Sequence, residues 1–196
     1  MEYFKHNILY SDFSSRPRII CIQAPGLNIS LVSFWFQAGA RCAPQGKDGL
    51  PHIFEHLFMT RSKKYPTQME FLSAMERKGF KYHAYTYLDL VSYYLACLPG
   101  RELEALHQLM MGYRASVIDS RSLAHEKKVV LDEERRNRMS PANYIWRLAN
   151  RGVWPRGSYS HDVFGTPQTV RAITLEDIMD FQELYYQENS LTILIL

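Results

Sequence analysis

In the first half of the chain, apolar and polar positions alternate in short β-branched and aromatic runs. Residues 18–23 and 29–37 are two of these, and Pro25-Gly26-Leu27-Asn28 between them supplies turn chemistry, so the pattern predicts a hairpin. After Ala38-Gly39-Ala40 a polar loop closes on Gly46-Lys47-Asp48-Gly49, and residues 50–59 read as a helix with Asp48 as its N-cap. Pro66-Thr67 opens a second helix, in which Met69, Leu72 and Met75 recur at helical spacing before Gly79 stops it. Strands follow at 80–86 and 90–98, the second ended by Pro99-Gly100. Helices are predicted at 102–116, 120–139, 141–151 and 175–187, before a last strand from Ser190. This order predicts an α+β domain whose mixed or antiparallel sheet is covered by helices on one face.

Composition adds exclusions. At 196 residues, 46% hydrophobic and 22% charged, the chain has the mix of an ordinary globular domain. Its net charge of +3 comes from interspersed signs, which gives no footprint for nucleic acid. No stretch reaches the ~18 apolar residues a membrane span needs. Cys21, Cys42 and Cys97 are odd in number, widely spaced and outside any CxxC grouping, as expected of reduced thiols. Residues 1–10 lack an apolar run behind basic residues, so a cytoplasmic setting is expected. Leu191-Thr192-Ile193-Leu194-Ile195-Leu196 is the most apolar strand, with no polar tail behind it. The expectation is that residues 1–196 form one domain of a longer, multi-domain protein.

The chemistry concentrates in His52-Ile53-Phe54-Glu55-His56 on the first predicted helix. At about 100° per residue, positions i and i+4 differ by about 40° and i+3 lies about 60° to the other side, so the three polar side chains share a face. Two imidazoles so placed can grip one metal, and catalytic zinc sites use three protein ligands with one position left for water. Glu55 stands beside them as a candidate general base. A solvent-facing amphipathic helix could carry the same letters, so a third ligand is needed. The helix containing Glu126-Lys127-Lys128-Val129-Val130-Leu131-Asp132-Glu133-Glu134 offers several. With Val130 at the centre of its apolar face, Glu126 and Glu133 fall on one side and Glu134 on the opposite flank. A carboxylate on an apolar side is costly unless paired or metal-bound; salt bridges to Lys or Arg are the alternative reading for both.

These residues resemble the pitrilysin/insulinase family of zinc metallopeptidases, relatives of the mitochondrial processing peptidases. In that family an inverted HxxEH helix is followed at a set distance by a Glu ligand, and this chain has Glu133 at that distance. Leu50-Pro51-His52-Ile53-Phe54-Glu55-His56-Leu57-Phe58 and Lys63-Lys64-Tyr65-Pro66 resemble the family's helix and the segment after it. Glu126 takes the place of a second Glu that supports the metal site. His83-Ala84-Tyr85-Thr86 resembles a strand reading Asn-Ala-x-Thr that pairs with the substrate backbone, with His83 where the family has Asn. Phe164-Gly165-Thr166-Pro167 and Tyr185-Tyr186-Gln187-Glu188-Asn189 extend the likeness over nearly the whole chain.

The resemblance implies a zinc-dependent endopeptidase domain. Its one Zn²⁺ would be held by His52, His56 and Glu133, with Glu55 as base, Glu126 behind the ligands and an extended peptide along His83, Ala84, Tyr85 and Thr86. It also implies a homologous C-terminal half or partner subunit that closes the cleft. The alternative is a catalytically silent domain of the same fold serving binding or assembly. Silent relatives commonly lose a ligand or the base, whereas this chain has all four residues.

Overall fold

The computed structural model describes residues 7–11 and 17–196. Six strands form one mixed sheet in the order β1-β2-β6-β3-β5-β4. These are β1 (Asn7–Ser11), β2 (Arg18–Gln23), β3 (Ser30–Phe36), β4 (Lys81–Thr86), β5 (Val91–Cys97) and β6 (Thr192–Ile195). Seven α-helices occur among the described residues: α1 (Leu50–Leu57), α2 (Gln68–Arg77), α3 (Glu102–Ala115), α4 (Ser120–Met139), α5 (Pro141–Val153), α6 (Pro167–Ala172) and α7 (Leu175–Tyr185). The α+β expectation holds. None of the helices is long and apolar enough to cross a membrane.

Strand alternation puts the core on one face. Val32, Phe34 and Phe36 of β3, with Val91, Tyr93 and Leu95 of β5, are buried against the helices. Tyr186 is the hub of the packing between sheet and α1. Its ring lies 4.4 Å from those of Phe36 and Phe54 and 4.8 Å from that of Phe58, and its hydroxyl meets that of Tyr93 at 3.0 Å. Such aromatic contacts each add about 0.5–1.5 kcal/mol beyond area burial.

The expected hairpin between 18–23 and 29–37 is not formed. β6 lies between β2 and β3, parallel to the first and antiparallel to the second. The turn chemistry is as expected, with Gly26 at φ 92. The link simply crosses over one strand, a gap of about 10 Å that six residues span readily. Pairing on both edges satisfies the backbone of β6, while of its side chains Ile193 is buried and Thr192, Leu194 and Ile195 are half-buried. Two further elements, β1 and the short α6, lie outside the periodic segments. α1 also begins differently: its N-cap is Gly49 at φ 91, while Asp48 turns to His161, whose Nδ1 lies 2.5 Å from its carboxylate.

β4 is one of the two edge strands, and its position depends on the turn into β5. Gly39 lies against the backbone of Leu88, Asp89 and Leu90 so closely that an added Cβ would overlap it, and Ala40 N–H donates to Tyr87 O at 2.8 Å. Gly39→Ala is expected to lower stability by about 2–3 kcal/mol in denaturant titration, since the strand turn must shift. Gly39 itself has φ −73, so the expected loss is steric and carries no left-handed backbone strain.

Candidate metal and catalytic site

α1 carries the site, and it is buried on nearly every side. Leu50, Ile53, Phe54 and Leu57 are fully enclosed, and His52 and Glu55 are buried with them. Polar groups are placed there at a cost unless something engages them. α4 packs across α1 and supplies the engagement. His52 Nε2 and His56 Nε2 face each other at 3.2 Å, and Glu133 Oε2 stands 3.7 Å from the first and 3.5 Å from the second. The ligand atoms of these three residues converge on one point.

The spacing is compatible with a tetrahedral cation site. Zinc–ligand bonds of about 2.0–2.1 Å in a tetrahedron set neighbouring ligand atoms about 3.3 Å apart, and the three observed edges bracket that value. The two imidazole nitrogens are within hydrogen-bonding distance of one another, and a carboxylate completes the triangle. As a cation's donor set they fit. The donor chemistry, two nitrogens and one carboxylate oxygen with an open fourth side, suits catalytic zinc.

Glu126 lies behind this triangle. It is buried, and its Oε2 is 3.2 Å from His56 Nδ1, the nitrogen on the far side of the ring, so it fixes the imidazole's orientation. Burial alone would lower the His56 pKa, but the Glu126 contact and the charges of Glu55 and Glu133 outweigh it and hold it above the usual value. His52 has no such partner. Burial, reinforced by the charge of His56, draws it down to about 3, so His52 is a neutral imidazole at physiological pH, as a ligand must be.

Glu55 accepts a 2.6 Å hydrogen bond from the Thr86 hydroxyl. Burial pushes its pKa up to about 6, against the pull of that bond and of His56. A carboxylate poised there can take and return a proton near neutral pH. The Thr86 backbone N–H also points at Glu55. With Tyr87 N–H bonded to Leu90 O, antiparallel alternation turns the backbone groups of Ala84 and Thr86 to the open edge beside Glu55. The His83 and Tyr85 side chains lie on the other face, where the His83 ring packs 5.3 Å from that of Tyr94.

His52, Glu55 and Glu133 line a cleft of about 660 Å³ together with Ala84, Tyr85, Thr86, residues of α4 and α5, and Phe164. Sequence reasoning missed its far wall. There Arg147 bonds Asp162 at 2.7 Å and Glu134 at 3.4 Å, and Glu134 also takes Arg138 at 2.5 Å. The spacing of Glu134 and Arg138 by one turn was the available signal; the links to Arg147 and Asp162 had none.

Raising Glu55 from 4.5 to about 6 corresponds to about 2 kcal/mol of ionisation cost carried by the metal-free fold at neutral pH. The group is protonated in both states below the lower value, so the cost appears as pH rises through the folded pKa. Glu55→Gln, which keeps an acceptor for Thr86, is expected to stabilise the metal-free chain by roughly 1–2 kcal/mol at pH 7 and by little near pH 4. Urea titrations at the two pH values check this; a destabilised variant at pH 7 would contradict it.

A family model described as Insulinase (Peptidase family M16) matches residues 18–159, a stretch that takes in His52, Glu55, His56, Glu126 and Glu133. Presequence protease 1, chloroplastic/mitochondrial, of Arabidopsis thaliana is 24% identical over 169 residues, covering 76% of this chain and 16% of that protein. Two solved structures share the fold. A protease from Helicobacter pylori superposes with TM-score 0.88 at 20% identity, over 99% of this chain and 47% of its own. A peptidase M16 inactive domain from Pseudomonas fluorescens gives TM-score 0.82 at 16% identity, over 96% of this chain and 46% of its own. The chain spans about half or less of the length of these relatives. On the extent of the family match, the chain belongs to the insulinase family, peptidase family M16.

Proposed function

We propose that residues 1–196 are the zinc-bearing domain of an endopeptidase that hydrolyses extended peptides. The observation that carries this is the triangle of His52 Nε2, His56 Nε2 and Glu133 Oε2 at tetrahedral-edge distances, with Glu55 buried in the same cleft. One Zn²⁺ held there would bring the pKa of a water toward ~7 and polarise a peptide carbonyl. Glu55 accepts the proton that the attacking water gives up and returns it to the leaving amine, with Thr86 holding the carboxylate in place. Glu126 keeps His56 turned toward the metal.

The peptide adds as a further strand along the open edge of β4, next to Ala84 and Thr86. This is supported by the edge position of β4 and by the cleft running past it. The relatives are at least about twice as long, which supports a second, homologous half that closes over the cleft, in the same polypeptide or another. One neighbour of this fold is an inactive domain by its own description, so fold alone does not make a peptidase. The retention of base and ligands in one cleft favours the active reading here.

In the complete zinc-loaded protein, Glu55→Gln is expected to keep its metal and to lose peptide hydrolysis by at least about a hundredfold in kcat. Turnover at the parent rate in that variant would remove Glu55 from the chemistry. Glu126→Gln is expected to weaken zinc binding by about 10- to 100-fold in competitive chelator titrations while leaving one site per chain.

A further inference from the structure

The far wall of the cleft has a charge pattern that the proposed chemistry does not use. Arg136 and Asn137 lie one turn beyond Glu133 on α4 and line the same cleft. On α5, Asn143, Arg147, Asn150 and Arg151 recur at helical spacing and also line it. α5 is amphipathic in an unusual sense: this polar stripe faces the cleft, while Ile145 and Leu148 are 65% and 51% exposed.

Three acids line the cleft: Glu55, Glu133 and Asp162. The first two belong to the metal and base group. Asp162 is taken by Arg147 at 2.7 Å, whose other contact is Glu134. His161 is paired with Asp48. Arg151 is near enough for its charge to act on Asp162 but forms no ion pair with it. Among the described residues, Arg136 and Arg151 therefore stand at the wall with no carboxylate of their own.

We propose that Arg136 and Arg151 form a carboxylate-receiving wall that selects peptides bearing a negative charge beside the scissile bond. This rests on the peptidase reading above. The charge is an Asp or Glu side chain or a C-terminal carboxylate, since both present the same planar anion to a guanidinium. An extended peptide on β4 lies between the metal ligands and α5, so alternate side chains point across the cleft toward that wall. Arg136 also lies in the last turn of α4, where a cation stabilises the helix dipole. A role limited to that would alter stability and affect all peptides alike.

The test uses zinc-loaded, full-length protein and fluorogenic peptides identical except for Glu, Gln or Lys at each position flanking the scissile bond, with C-terminal acid and amide versions of each. The expected result is a Glu-over-Gln preference of roughly three- to tenfold in kcat/KM at about 50 mM salt, shrinking at about 500 mM. The ratio should collapse toward one in the Arg136→Gln/Arg151→Gln variant. A preference for acid over amide with no effect of Glu would assign the wall to the peptide C-terminus. Cleavage with no charge preference, or with the same preference in the variant, would overturn the proposal while leaving the peptidase reading intact. If no peptide is cleaved, the peptidase reading fails, and anisotropy titration of the same labelled peptides decides the wall. Tighter binding of charged peptides, lost in the variant, upholds it; equal affinity overturns it.

Discussion

The fold is organised around the burial of two imidazoles and a carboxylate on a helix that has almost no surface. α1 could have been an ordinary apolar core helix, given Leu50, Ile53, Phe54 and Leu57. Placing His52, Glu55 and His56 on it costs solvation that the surrounding elements must make good. α4 does so with Glu126 and Glu133, and β4 does so with Thr86. Each contact comes from an element distant in sequence, so the donor set exists only when the domain is folded. The aromatic packing under α1, centred on Tyr186, leaves the helix little freedom to rotate its polar face away.

The same constraint separates the roles of chemically similar groups. His52, buried without a carboxylate behind it, is held neutral, whereas His56, backed by Glu126, is kept more basic. Glu133 is half-buried at the mouth while Glu55 is enclosed, so one carboxylate is suited to a cation and the other to a proton. Setting β4 at a sheet edge puts the outward backbone groups of Ala84 and Thr86 beside that proton acceptor.

Much of this was legible in the chain. The His52 to His56 spacing fixed which side chains share a face, and the helical wheel centred on Val130 placed Glu126 and Glu133 on the side that meets them. Helix α4 begins behind a capping Asp119 and α5 on Pro141, where the chain's own signals put them. The misses share a physical cause, which is dependence on segments far away in sequence. The local turn at Pro25-Gly26 could not reveal that β6 would insert beside β2. Asp48 had the chemistry of an N-cap, yet His161 engages its carboxylate. The bond from Thr86 to Glu55 and the bridging of Arg147 to Asp162 leave no periodic trace at all.

In the proposed function His52, His56 and Glu133 bind a single zinc ion. Elemental analysis of the purified chain, beside His56→Ala, tests it most directly. About one zinc per chain is expected in the parent and close to none in the variant. Zinc that stays at full stoichiometry when His56 is removed, or a correctly folded parent that binds none when metal is added at neutral pH, would contradict it.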